Sequence, residues 1–441
     1  MSPPVDPVAA TQVLPKKVDV VVIGGGIIGV SAVWHLLKKG YSVALCEKGV
    51  IGGEQSSRNW GYCRQQGRDP KEMPLIQEAL RIWRGLDKEI EAETGFAQAG
   101  VIYVAKTEQQ MASYERWVDI AKQYQLDTRT VTSQGLRDLL PGYETGYPGA
   151  LWTPSDGRAE PHKAAPAIAT SAQRKGAAIL TGCAVRGLET TGGRVSAVVT
   201  EKGVIACDSV ILAGGAWSSL FLKRHDIVFP QLQVKSSVLR TTVGPEVTPG
   251  GLSTPDFAIR RRNDGKYTLS RGFDSTFYLV PDAFRWMDKF WKSFMAERDT
   301  IKLRLDSRFF QQLMQNTSWD MNSESPFERT RILDPAADRK ILDKGFASFK
   351  AAFPVLKDLQ VEEYWAGMID TTPDAVPCIA PLEALPGLTL ASGFSGHGFG
   401  IGPGAGKLAA QLTVGEPPCV DPEPFRYTRF FDGTSLAPAE I

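Results

Sequence analysis

The run VDVVVIGGGIIGVSAVWHLLKKGYSVALCEKG, Val18 to Gly49, restricts the fold of this chain more than any other stretch. VDVVVI and YSVALCE are apolar, largely β-branched runs bounded by turn residues, the pattern of strands buried on both faces. Between them Ile28, Ala32 and Leu36 recur at helical spacing, and Gly40 closes the helix. Gly24, Gly26 and Gly29 form GxGxxG at the strand-to-helix junction. The first glycine permits the tight turn, the second lets the backbone approach a pyrophosphate, and the third lets the helix pack on the strand. The helix N-terminus adds amide donors and a partial positive charge. Glu47 ends the next strand about 20 residues on, where an acid accepts from a ribose hydroxyl. An acid there disfavours a 2′-phosphate, so NAD and FAD are the dinucleotides that remain.

Two later passages have the same texture. HKAAPAIATSAQRKGAAIL reads as a helix leading to a strand, followed by short strands punctuated by TTGG and EKG turns up to SVILAGGAWS. GLTLASGFSGHGFGIGPGAGKLAAQL reads as strand, Gly-rich loop, helix, and residues 71–95 as a charged amphipathic helix. The parts between differ. FAIRRRNDGKYTLSRG is a hairpin pattern with a DG turn, and FRWMDKFWKSFMAERDTIKLRL an aromatic, charged helical stretch. The expected fold class is therefore α/β: a discontinuous Rossmann-like domain from 1–95, 148–230 and 365–441, with an α+β domain from 96–147 and 231–364.

Composition excludes other classes. Lys+Arg 50 against Asp+Glu 49 gives a net charge of +1 over 441 residues, which leaves no electrostatic footprint for nucleic acid. The six cysteines are scattered without CxxC, as in reduced intracellular thiols, and the four histidines lie too far apart for a local metal motif. The apolar run from Val18 to Leu37 holds Asp19, His35 and four glycines, which argues against a membrane span. A soluble, cytoplasmic protein without bound metal is expected.

The second Gly-rich loop, SGFSGHGFGIGPGAGK, could turn free amides toward the pyrimidine edge of a flavin, where negative charge develops on reduction. A plain NAD dehydrogenase has no evident need for it. His397 within this loop is read either as satisfied by backbone or as contacting the flavin.

With these pieces in place the chain resembles the FAD-dependent amine and amino-acid oxidoreductases of the D-amino-acid oxidase/sarcosine oxidase superfamily. The resemblance spans nearly the whole chain. It is specific at VVIGGGIIG with Glu47, at EQSSRNWG, at SVILAGGAWS, and at WAGMIDTTPDAVP followed by GFSGHGFGIGPGAGK. It implies an FAD domain of three chain segments and a substrate domain whose mixed sheet roofs the flavin. It also implies cofactor contacts from Gly24, Gly26, Ile27, Ile28 and Gly29, from Glu47 and Lys48 at the adenosine end, and from Gly53, Ser56, Ser57 and Arg58 along the pyrophosphate. Val185 is expected beside the adenine, Ala213, Gly214 and Trp217 beside the dinucleotide or flavin, and Gly396, His397, Gly398, Phe399 and Gly400 in the last loop. Arg64 matches an arginine that sarcosine oxidases use near the substrate carboxylate. Arg68 reads as a solvated or helix-terminal residue.

The departures narrow the expectation. The flavin-linking cysteine of sarcosine oxidases falls on Gly367, so FAD is expected to be non-covalent. Their lysine in the last loop falls on Gly400. The carboxylate-binding arginine of D-amino-acid and glycine oxidases falls on Ile369. The anchor for an acidic substrate is therefore sought at Arg64 and in Arg260 to Arg262, where strand alternation puts Arg261 on one face and its neighbours on the other. Trp217, Trp365 and Phe399 are candidate pocket walls, with core packing the alternative for each. EQSSRNWG and the helical insertion near 281–320 look most like bacterial L-amino-acid oxidases and deaminases. The implied activity is oxidative deamination of L-amino acids, with O2 reduced to hydrogen peroxide. The alternatives are a secondary-amine or D-amino-acid oxidase or dehydrogenase, and a flavin-binding subunit of a hetero-oligomer. Expected partners are a small amino acid and O2, with self-association left open. The insertion is read as a lid or packing helix rather than a membrane contact.

Overall fold

The computed structural model describes residues 3–143, 146–272 and 274–439, and the elements below are those of the described residues. In the first sheet Lys17–Ile23 lies between two parallel neighbours, Val43–Cys46 and Gly203–Leu212. Ala178–Leu180 extends it beyond Val43–Cys46, and Leu388–Ser392 runs parallel to the end of Gly203–Leu212. Arg194–Thr200 and Val185–Thr191 continue it antiparallel. Segments from the beginning, middle and end of the chain thus share one sheet. Val20, Val21 and Val22 are buried on both of its faces, as the apolar run requires.

The helices Ile27–Lys38 and Gly398–Val414 pack on this sheet and on each other, and Met73–Ile90 packs on Gly398–Val414. Gly398–Val414 corrects the reading of GFGIGPGAGK as a loop. The helix begins at Gly398, and its glycines let backbones approach. A Cβ on Gly406 would lie 2.5 Å from Ser31 Cβ and 2.7 Å from Ala32 N, and one on Gly404 would lie 2.8 Å from Leu75 O.

The second sheet is mixed. It runs Ile301–Arg304, Ser275–Tyr278, Leu232–Thr241, Tyr267–Ser270, Ala258–Arg261, Gly251–Ser253, Val101–Ala105, Gly149–Thr153, Arg129–Thr132, with Val361–Thr371 also paired to Leu232–Thr241. The DG turn closes the hairpin Ala258–Arg261/Tyr267–Ser270. Gly149–Thr153 and Val361–Thr371 belong to this sheet, although 148–230 and the chain from 365 were expected in the dinucleotide unit. At both places the chain stays in the second sheet past the expected boundary and enters the Rossmann-like part later.

The insertion departs from a single helix. Pro281–Arg285 and Met287–Glu297 are separate helices, and Ile301–Arg304 is a strand parallel to Ser275–Tyr278. No residue of Met287–Glu297 is buried. It touches the C-terminal segment through Lys289 Nζ, which donates to Phe430 O at 2.8 Å, and through Ser293, which donates to Pro373 O. Among the described residues no helix is long and apolar enough to cross a membrane, and no cluster of His, Cys, Asp and Glu is arranged for a metal ion.

Candidate active site

At the C-terminal ends of the parallel strands lies an elongated cleft, where ligands of open α/β sheets bind. Gly24, Gly26, Ile27 and Ile28 line its floor. Gly24 takes a φ of +108°, and a Cβ there would meet Ala213 O at 2.3 Å. Gly29 lies beneath the cleft, where a Cβ would come within 2.0 Å of Gly24 O. Gly26 faces open space apart from Ser56 Oγ. The division into turn, approach and packing glycines is thus physical at each position.

Glu47 closes the end of the second strand. Its carboxylate accepts from Gly25 N and Gly49 N, both at 2.7 Å, while burial pushes its pKa up. Ser56 Oγ accepts from Ile27 N at 2.8 Å and so caps the dinucleotide helix from outside it. Lys48 Nζ donates to Glu54 Oε1 at 2.9 Å and lies 4.2 Å from the Trp217 ring centre, whose Nε1 donates to the same oxygen at 3.1 Å. Lys48, Gly53 and Trp217 line the cleft, as do Val185, Ala213 and Gly214, and Gly396, Gly398 and Phe399 at its far end.

Other expected contacts point elsewhere. Ser57 is buried and donates to Glu54 O at 3.2 Å. Arg58 is buried behind the cleft, donating to Leu333 O and, at 2.9 Å, to Ala366 O, and it lies 3.6 Å from Asp334. It ties the loop to the roof sheet instead of following a pyrophosphate. Trp365 donates to Arg58 O at 3.1 Å and is a packing residue, not a wall of the cleft. Gly400 is backed by Tyr62 O, 2.7 Å from where its Cβ would be, and its own carbonyl accepts from Trp83 Nε1 at 2.8 Å. His397 turns away from the cleft, with Nδ1 3.4 Å from Glu72, and burial pushes its pKa down. Arg68 is buried, not solvated. It pairs with Glu72 at 3.4 Å and donates to Arg64 O and His397 O, both at 3.2 Å.

The arginine run resolves by face. Arg260 is fully buried, pairs with Glu160 at 2.8 Å and donates to Trp60 O at 2.5 Å. Burial alone would raise the Glu160 pKa, but Arg260 and Arg262 hold it at about 2. Arg261 points the other way and donates to Gly244 O at 2.8 Å and Gly265 O at 2.7 Å. Both guanidiniums serve the scaffold and neither reaches the cleft, which removes Arg260 and Arg261 as substrate anchors.

Arg64 is different. Its backbone adjoins the last helix, with N 3.6 Å from the Cβ position of Gly400, and its guanidinium lies 5.5 Å from the Tyr103 ring centre and donates to Gln66 O. Among the described residues no carboxylate lies within ion-pair distance of it. Tyr103 Oη and Gln66 Nε2 are buried and lack hydrogen-bond partners. Motif reading missed both, and it also missed Asp370. That carboxylate lines the cleft and accepts from Gly393 N at 2.7 Å, and burial pushes its pKa up to about 6.

These residues fit a dinucleotide. An acid ends the second strand, a helix opens on a glycine without obstruction, and a buried acceptor, Gln55 Oε1, has no protein partner beside the cleft. A family model described as DAO, FAD dependent oxidoreductase, matches residues 19–412. The chain belongs to the DAO family of FAD-dependent oxidoreductases. As a DAO-family protein it takes FAD, and the residues that could hold it are those of the floor, the Glu47 end and the Gly396–Phe399 end of the cleft. It is similar to the structure of L-amino acid deaminase from Proteus myxofaciens in complex with anthranilate, with 32% identity, a TM-score of 0.93 and 98% of each chain covered. For the L-amino acid deaminase from Proteus vulgaris the values are 30% and 0.91, with 97% of this chain and 100% of that one covered. It is also 25% identical over 431 residues to sarcosine oxidase subunit beta from an Arthrobacter species, covering 95% of this chain and 92% of the relative.

Proposed function

We propose that this DAO-family protein oxidatively deaminates L-amino acids. In balance, an L-amino acid, O2 and water give a 2-oxo acid, ammonium and hydrogen peroxide. The likeness to the two Proteus deaminases over essentially the full chain carries this reading. Bound FAD supplies the two-electron acceptor.

The chain's own residues supply recognition. Arg64, without an acidic partner, pairs with the substrate α-carboxylate, and Tyr103 Oη and Gln66 Nε2 offer further donors beside it. All three groups are neutral or cationic, which suits an anion, and anthranilate in the Proteus myxofaciens structure is a carboxylate. Fixing the carboxylate fixes which Cα substituent faces the acceptor, and hence L against D. FAD is held without a covalent link, since Gly367 has no side chain and Gln55 Oε1 fills the place one would take.

A second reading, oxidation of sarcosine-like secondary amines, draws on the sarcosine oxidase relative. Against it, the Tyr62 carbonyl leaves no room for a side chain at 400. Peroxide release in air with separate L-amino acids, D-amino acids and sarcosine decides. Peroxide from L-amino acids alone is expected, and peroxide from sarcosine alone overturns the assignment. Silence with flavin bound points to another electron acceptor or to a dependent subunit.

A further inference from the structure

Between the insertion and the helix Arg339–Ala352, residues 319–333 return to the first sheet and cross the adenosine end of the cleft. Phe327 and Ile332 from this stretch line the cleft together with the glycine floor. Its regular structure is the one-turn helix Pro326–Arg329. The stretch is fastened on both flanks of the place where adenosine belongs. On one flank, beside Glu47, Lys48 Nζ donates to Thr330 O at 3.0 Å and Arg331 O at 2.8 Å, and Arg331 Nη1 donates back to Lys48 O at 3.0 Å. These bonds and the one to Glu54 use all three ammonium donors. A Cβ on Gly49 would lie 2.9 Å from Arg331 O and 3.0 Å from Ile332 Cγ1, so the stretch sits directly on this turn. On the other flank, beside Val185, Arg186 pairs with Glu328 through two bonds of 2.8 Å, and Trp319 Nε1 donates to Arg186 O at 2.8 Å. Arg331 Nη2 donates to Glu201 at 2.7 Å, and the same carboxylate accepts from Ala184 N at 2.6 Å. Each fastening thus bears on a residue adjacent to Glu47 or Val185. A wall held by polar bonds, with one turn of helix, opens at lower cost than the sheet beneath it.

We propose that residues 319–333 are the outer wall of the FAD site at its adenosine end. Phe327 and Ile332 pack on the adenosine half, and FAD leaves when the wall lifts off Lys48, Arg186 and Glu201. The inference rests on the FAD requirement of the family and is independent of which amine is the substrate.

Two measurements on the full chain test it. In the first, holoprotein is chased with excess ADP and the released FAD is followed by its fluorescence. Glu328→Gln keeps the capping box of Pro326–Arg329, and Glu201→Gln keeps an acceptor for Ala184, while each removes a charge that holds the wall. Together they are expected to speed release about ten-fold. Glu362→Gln, which weakens the hold on Lys266 and Arg240 outside the cleft, is expected to leave release unchanged. In the second, apoprotein is titrated with ADP, which carries the adenosine half alone, and Ile332→Ala is expected to weaken binding about five-fold. Three results overturn the proposal: unchanged release in the double variant, an equal rise in Glu362→Gln, or unchanged ADP affinity in Ile332→Ala.

Discussion

The dinucleotide segment, residues 17–59, and the insertion, residues 281–314, are both rich in apolar side chains and use them in opposite ways. In the first, Val21, Val22 and Val30 are fully buried, and the backbone is seated so closely that glycine is required at fixed points. In the second, Trp291 is 53%, Phe310 61% and Met314 76% exposed. The insertion is held by the pairing of Ile301–Arg304 with Ser275–Tyr278 and by polar contacts such as Lys223 Nζ to Asp282 at 2.5 Å. Apolar content alone does not say where a segment packs. Steric demands between distant backbones do, and those are severe in one region and slight in the other.

That contrast can be broken in order of expected effect. Gly29→Val drives a side chain into the Gly24 carbonyl, so the protein should purify without flavin and unfold at least about 3 kcal/mol more easily, read by 450 nm absorbance and denaturant titration. Arg64→Met removes the proposed carboxylate partner. kcat/KM for L-amino acids should fall about 100-fold or more with flavin content unchanged. A loss of flavin instead would make Arg64 a cofactor residue.

Asp370→Asn acts through pH. With a folded pKa of about 6 against an ordinary 3.8, the native carboxyl keeps a proton that the unfolded chain releases. Wild-type stability from this group therefore falls as pH rises between about 4 and 6 and is level above that. The asparagine variant should gain on wild type across that window, by about 2 kcal/mol at pH 7. Asp156, whose pKa burial also pushes up to about 6, is present in both proteins and cancels in the difference. Serine at Trp291 and at Phe310 should shift stability by no more than about 0.5 kcal/mol each. A larger loss would mean the insertion is packed more tightly than its exposure indicates.

Legibility followed the same division. The GxGxxG turn and Glu47 were readable because their constraints are local, within one strand-helix-strand unit. Ser56 was placed through the family pattern, although its contact, Ile27 N, is 29 residues away. Arg260 was misread because Glu160, which neutralises it, lies 100 residues earlier and belongs to no shared motif. At Gly400 the sequence did not show the close approach of the Tyr62 carbonyl, because a glycine that donates its amide to a ligand and one that admits a carbonyl look alike. Gln55 and Tyr103 carry no sequence signal, since their distinguishing property is a missing partner.

The helix Gly398–Val414 bears on how the protein is made. Its glycines rest on Ser31 and Leu75 near the start of the chain, and the strand before it, Leu388–Ser392, completes the sheet beside Gly203–Leu212. One end of the cofactor cleft is the first turn of that helix. A ribosome has therefore synthesised everything up to Gly398 before the cleft has both its ends. Until then Val20 to Val22 and the helix after them wait without their final cover, which is the interval in which a growing chain depends most on chaperones.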